Sequence, residues 1–483
     1  MRAVSWTLEA ALFLVVAGSV LAIGSVHRWA YVPLWLACLG MALLLAMRVG
    51  AVASLRRLIG RQRFAFHFSD RWLTLDADPS YGMAGWSFDL SQPALPRPAL
   101  LVPGLVFVGW VLVQLLPLPP AWRPLTLSLP DTLRGLAFLL SGLVLHMAAA
   151  AVFATREARE RFRRALAALG ALLAFVALFQ LASGTKRIYG VFQSLEGGSG
   201  FGPFVNRNHF AAYMLMVVPL SLALLADAYR RYARRAGERP NLRRRLVSLG
   251  APEGVALLYA SIPAVATAGA LIATTSRGAL LAFAVSVGLA VLGLRRKREV
   301  PGWVLGVAFV TMALSWFGLE RLEVRFSRTV DDAPGRTLVW KDTLERMDGL
   351  WLTGSGFNTF GIAMSRVTPW ALPKGAAPWP EPVAQALASG SRVGVRVLEQ
   401  IPGYSWYREA HNDYVQLLAE TGVPGLLVGL WGALSVLDAA RPHPWLLAAL
   451  AAVLMHSFVE FDLQIPAIAV LFVVLAGMRL RAQ

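Results

Sequence analysis

The chain has 483 residues, of which 57% are hydrophobic and 15% charged, and its mean hydropathy is +0.56. Such a chain is too apolar for an ordinary soluble enzyme and reads as a polytopic membrane protein. A formal net charge of +18 would point to nucleic acid in a soluble protein, but here the positive residues fall in short blocks between apolar runs. That is the pattern of loops kept on the cytoplasmic face of a bilayer, so the expected partners are membrane lipids and not nucleic acid.

A span needs about 20 predominantly apolar residues. On that criterion the chain has roughly twelve, at about 8–26, 29–47, 99–117, 132–154, 165–183, 209–227, 254–275, 278–294, 300–318, 413–440, 444–460 and 463–480. The first run has the length of a secretory leader, yet one Arg and Glu9 precede or open it and a second run follows closely, so it is read as an uncleaved span. The single cysteine, Cys38, lies inside an apolar run and excludes both a disulfide framework and a thiolate metal cluster.

Parity decides sidedness. The connections after even-numbered spans hold "RVGAVASLRRLIGRQR", "REARERFRR", "YRRYARRAGERPNLRRR" and "RRKRE", and basic residues near span ends resist translocation. Both termini are then expected in the cytoplasm. The opposite side receives the 118–131 connection, the stretch 184–208, the tight "TSRGA" turn and the long segment 319–410. That segment holds Trp340, Trp351, Trp370, Trp379 and Trp406 with a helix-like run "TLVWKDTLERM". Long connections of this kind are functional or disordered, and five tryptophans argue for an ordered cap at the membrane–water interface. The predicted fold class is all-α. Residues 1–318 carry nine spans and basic cytoplasmic loops, 319–410 form the outer loop, and 411–483 carry the last three spans.

The same parity gathers four polar motifs on the outer side: "GPFVNRNHFAAY" (202–213), "TTSRGAL" (274–280), "RFSRTVDDAPGRTLVWKD" (325–342) and "HNDYVQLLAETG" (411–422). In the last, Asn412 or Asp413 is placed to cap a helix whose face includes Tyr414, Val415 and Leu418, and Gly422 with Pro424 supplies a stop or kink. His411 therefore stands at a helix start. A neutral imidazole there is available to take a proton from a hydroxyl, although a capping histidine would look the same.

The arginines are the second chemical group. Arg277 lies in a turn of almost no length between apolar runs, where a guanidinium costs several kcal/mol unless paired or given an anion. Arg207, between Asn206 and Asn208, faces the same requirement, and Arg336 opens a helix after "DDAPG". Three planar guanidinium forks suit a pyrophosphate, while Arg336 has Asp331 and Asp332 as alternative partners. His27, His209, His411 and His456, with Glu460 and Asp462, show no metal-ligand spacing, so no metal is expected.

"FVNRNHFAAY", "SRGAL", "RTLVW" followed by "LTGSGFNTF", and above all "HNDYVQLLAETGVPG" resemble the O-antigen ligase and polymerase family of bacterial inner-membrane proteins, over roughly residues 165–480. The resemblance implies a GT-C-like, all-helical glycosyltransferase fold with a periplasmic active site. It implies transfer of a glycan from undecaprenyl pyrophosphate to an acceptor hydroxyl, on lipid A-core for a ligase or on a second lipid-linked glycan for a polymerase. It further implies a reaction without metal or other cofactor, with arginines on the pyrophosphate and a histidine as base. His411 matches that histidine, and Arg277, Arg207 and Arg336 match motif arginines. Asn206, Asn208, Asn412, Asp413 and Tyr414 are expected to bind the donor or support the site. The chain shows no carboxylate pair of the sort a covalent glycosyl intermediate needs, so attack on the anomeric carbon would invert it. A transporter or permease is the competing class, but such proteins place ionisable groups at the bilayer midplane, and these runs carry almost none there.

Overall fold

Inside hydrocarbon every backbone amide and carbonyl has to find its partner within the protein, so apolar runs of this length become helices. The computed structural model describes residues 2–59, 63–69, 72–76, 86–89, 98–118, 123–185, 187–193, 200–237, 242–295, 336–345, 347–365 and 407–478. Its helices are α1 (Arg2–Leu21), α2 (Arg28–Ile59), α3 (Leu101–Leu115), α4 (Leu129–Val152), α5 (Arg156–Ser183), α6 (Arg207–Ala236), α7 (Leu242–Leu249), α8 (Pro252–Ala273) and α9 (Arg277–Arg295). They continue with α10 over 336–345, α11 (Phe360–Ser365), α12 (Asp413–Ala440), α13 (Pro444–His456) and α14 (Pro466–Ala476).

Among the described residues six helices are long and apolar enough to cross a membrane: α2, α4, α5, α6, α8 and α12. Five shorter apolar helices, α1, α3, α9, α13 and α14, stand where other spans were expected. The expected run at 300–318 lies outside the described residues.

Helix α6 is the axis of the body. Met214 to Val218 have no exposed surface, and the helix packs against α5, α8, α9, α13 and α14. Lipid tails are as apolar as leucine, so close packing rather than escape from water holds such helices together. At Gly170 of α5 a Cβ would come within 2.4 Å of Val217 and 3.1 Å of Thr267, so this glycine sets the approach of α5 to both α6 and α8. Exposed apolar residues form stripes at helical spacing: Leu172, Phe175 and Phe179 on α5, Leu258, Ile262 and Val265 on α8, and Leu427, Leu430 and Leu434 on α12. These are the faces that acyl chains would cover.

The arginine blocks collect where α4 and α6 end and where α5 and α8 begin. Arg48 donates to the Ala151 carbonyl at 3.1 Å and Arg159 to the Phe153 carbonyl at 2.7 Å, which satisfies acceptors left over at the end of α4. Arg161 makes a two-pronged pair with Glu9, and Arg163 reaches Asp227 at 3.2 Å. The described parts of the polar motifs lie away from these arginines, at the start of α6, between α8 and α9, in α10 and at the start of α12.

A small sheet, unexpected from the sequence, lies between α2 and α3. Strand β1 (Arg63–Ser69) is central, pairing antiparallel with β2 (Trp72–Asp76), Ser69 opposite Trp72, and with β3 (Trp86–Asp89), Phe66 opposite Trp86. The body is all-helical as its composition requires, and this sheet is an addition within a connection. Its signal is the alternation in "RFAFHFS", which a search for long apolar runs passes over.

In the long segment 319–410, residues 336–345, 347–365 and 407–410 are described; Trp370, Trp379 and Trp406 lie outside the described residues. The described part has its own apolar cluster of Val339, Met347, Phe360, Met364 and Ala410, joined by Ala419 of α12. The Trp340 indole donates to the Ala410 carbonyl at 2.9 Å, fastening α10 to the residue before His411.

Candidate active site

The site is assembled at the ends of five elements. Asn206 caps α6, its side chain accepting the Asn208 amide at 2.8 Å, so Arg207, Asn208 and His209 fill the first turn. Between α13 and α14 the chain turns through "SFVEFD", which carries Glu460 and Asp462 inward until they are 1% and 0% exposed. Burying two carboxylates requires partners.

Glu460 finds them on three separate segments. Asn208 Nδ2 donates to Oε1 at 2.5 Å, Arg336 at the start of α10 forms a short charge-assisted bond to the same oxygen, and His411 Nδ1 lies 3.3 Å from Oε2. Burial pushes this carboxyl up, but the His411 hydrogen bond, the Arg336 charge and the nearby His209 outweigh it and hold the group at about 2. Arg336 is therefore paired with an acid 124 residues away; its sequence neighbours Asp331 and Asp332 lie outside the described residues. Asp462 serves a second group, 2.7 Å from His456 Nδ1 and 3.8 Å from His209 Nδ1. The Phe461 ring stands edge-on between the His209 and His411 rings, at 4.6 and 4.9 Å.

His411 has φ of 50°, a left-handed conformation that costs a residue with a side chain on the order of 1–3 kcal/mol. Its neighbours impose it. The Ala410 amide donates to Gln416 Oε1 at 3.1 Å and the Asp413 amide to the Ser457 carbonyl at 2.9 Å, while Asn412 accepts the Tyr414 and Val415 amides as cap of α12.

The polar residues that follow His411 turn to the backbone. Asp413 accepts the Leu463 amide at 3.0 Å, Tyr414 donates to the Leu454 carbonyl at 2.7 Å with its ring on Phe458, and Glu420 accepts the amides of Asn358 and Phe360 at 2.8 and 3.1 Å. The "LTGSGFNTF" segment is thereby clipped to α12, and Gln114 of α3 adds bonds to Thr353, Glu420 and Phe357. At Gly354, φ +65°, a Cβ would lie 2.2 Å from the Glu420 carbonyl oxygen, so the two backbones meet with no room for a side chain. At Gly422, with φ 66° and ψ −174°, and Pro424, α12 breaks as its sequence predicts.

Arg277 opens α9 after a three-residue turn in which Thr275 has φ of 52°. It is half-buried, and its helix start is pressed against the Glu460 turn: a Cβ on Gly278 would fall 2.8 Å from Val459 and 3.3 Å from His456. Arg207 is likewise half-buried.

Of the residues singled out from sequence, Asn208, Arg336 and His411 meet through Glu460; Arg277 precedes Gly278, which packs against the same turn, and Arg207 precedes Asn208. Asn206 and Asn412 act as caps, and Asp413 and Tyr414 brace the start of α12. Among the described residues no three His, Cys, Asp or Glu side chains are grouped to hold a metal ion. Sequence reasoning considered Glu460, Asp462, His209 and His456 only as metal ligands. The missed signal was two acids within three residues, in a short connection between apolar helices, at the end away from the arginine blocks.

No curated protein matches the chain. A family model described as O-antigen ligase matches residues 262–380, a stretch that contains Arg277, Arg336 and the "LTGSGFNTF" segment but ends before His411 and Glu460. Over that stretch, about a quarter of its length, the chain is similar to O-antigen ligases.

Proposed function

We propose that the protein transfers a glycan from undecaprenyl pyrophosphate to an acceptor hydroxyl at the outer face of the bacterial inner membrane, with both termini in the cytoplasm. The acceptor is lipid A-core if the protein acts as a ligase, or a second lipid-linked glycan if it acts as a polymerase. The observation that carries this reading is the convergence of His411, Arg336 and Asn208 on one buried glutamate, in a protein with an O-antigen ligase-like segment.

The chemistry follows from these groups. His411 takes the acceptor hydroxyl proton as the oxygen attacks the anomeric carbon. The bond from that carbon to the pyrophosphate oxygen breaks, and undecaprenyl pyrophosphate departs with the electron pair. Arg277, Arg207 and Arg336 hold its oxygens, fixed cations where charge accumulates. A single displacement inverts the anomeric centre.

The test is reconstitution of purified protein in lipid with the lipid-linked donor and each acceptor class. The reading expects glycan transfer by wild type and its loss in His411→Ala protein that still inserts and accumulates. Passage of a glycan or anion across the bilayer without bond formation would replace this reading with a permease.

A further inference from the structure

Three polar motifs meet on a carboxylate that none of them contains. Glu460 divides its oxygens, Oε1 taking Asn208 and Arg336 and Oε2 facing His411 Nδ1. Its own side chain is 1% exposed, whereas those of His411 and Arg336 are 37% and 38% exposed. A substrate can reach the partners but not the carboxylate, so any effect of Glu460 on the reaction has to pass through them. An imidazole that donates from Nδ1 keeps its lone pair on Nε2. Phe461, edge-on at 4.9 Å, limits the ring's swing away from that bond.

We propose that Glu460 is a positioning residue for the transfer reaction, holding His411 in the tautomer with its proton on Nδ1 and Nε2 free for the acceptor hydroxyl. The inference rests on His411 being the base. When Nε2 gains the acceptor proton, the imidazolium forms beside an ionised carboxylate that favours it, and the proton is later passed to solvent from the exposed edge of the ring. Arg336 and Asn208 occupy the other carboxylate oxygen and so fix which oxygen faces the histidine. A carboxylate that only ties α10 to the helical body would instead act on folding and leave the histidine's turnover alone.

The experiment compares Glu460→Gln and Glu460→Asp, each alone and combined with His411→Ala, in lipid-reconstituted full-length protein supplied with native lipid-linked glycan and acceptor. Thermal unfolding and monodispersity establish that each variant is folded; should the Gln protein not fold, the Asp protein, which keeps the charge but withdraws it by one methylene, decides. The expected result is a kcat reduced at least about tenfold with the donor KM changed less than about threefold. No further loss is expected when Glu460→Gln is added to His411→Ala. Histidine-selective 15N spectra should show the His411 ring passing from the Nδ1-protonated tautomer to a mixture of tautomers. Wild-type kcat in a folded Glu460 variant, additive losses in the double variant, or an unchanged His411 spectrum would overturn the positioning role. A fully active His411→Ala protein would remove the base itself and the positioning role with it, whereas an inactive His411→Ala beside a fully active Glu460→Gln removes only the latter.

Discussion

Two buried glutamates, Glu420 and Glu460, are each 1% exposed, and each gathers segments far apart in sequence. Glu420 closes on the amides of Asn358 and Phe360 and on the Gln416 side chain. Glu460 closes on an arginine, an asparagine and a histidine, and the first and last of these remain more than a third exposed. The difference separates architecture from chemistry. A carboxylate satisfied by backbone fixes where a segment runs, and one satisfied by half-exposed ionisable side chains fixes where those groups point.

Substitutions can break that distinction, beginning with the largest effect. On the Glu460 side, His411→Ala should lower transfer by about 10²–10⁴-fold, the range for loss of a general base, measured as turnover per folded molecule. Near-normal turnover would reduce His411 to a residue of the loop. Arg277→Lys keeps the charge and loses the planar fork, so transfer should fall at least about tenfold, or roughly 1.4 kcal/mol, and Arg277→Ala should fall further with weaker capture of undecaprenyl pyrophosphate.

On the architectural side, Asn412→Ala removes the cap of α12 and should destabilise the protein by about 1 kcal/mol, seen in thermal unfolding, with a smaller effect on turnover than Arg277→Lys. The smallest effect on turnover is expected at Glu409, where stability is the readout. Burial pushes its carboxyl up to about 8, with Glu420 and Asp413 adding to the rise and Gln416 and Arg408 opposing it. An acid whose folded pKa exceeds its unfolded value binds more protons when folded, so it lowers stability progressively as pH rises from about 4.5 to 8. Glu409→Gln should therefore match wild type in thermal unfolding near pH 4 and gain on it toward pH 8. A gap that narrows with rising pH would contradict the assignment.

The helical body was legible because the bilayer permits one solution for a long apolar run, and the expectation that the polar motifs share one side came from parity of spans and the arginine blocks. The break at Gly422 and Pro424 was legible from local backbone chemistry. The sheet at 63–89 was not, since its period-two signal spans a few residues in a connection read only for charge. Glu460 was hidden for another reason: its partners lie 49, 124 and 252 residues away, and nothing local to "VEFD" announces them. The stretch "HNDYVQLLAETG" posed the reverse difficulty. An asparagine that caps a helix, a tyrosine that bonds a carbonyl and a glutamate that receives two amides have the composition of a catalytic motif, and only coordinates show that they serve the backbone.

The most direct test sets Glu420→Gln beside Glu460→Gln, scoring thermal stability and turnover per folded molecule on the same preparations. Glutamine has one acceptor oxygen where Glu420 uses two for backbone amides, so at position 420 an amide is left facing an NH₂ group, at a cost of about 1–3 kcal/mol. The account predicts lowered stability with turnover within about twofold of wild type for Glu420→Gln, and turnover reduced at least about tenfold in folded Glu460→Gln protein. Full turnover at position 460 together with crippled turnover in folded Glu420→Gln protein would contradict it.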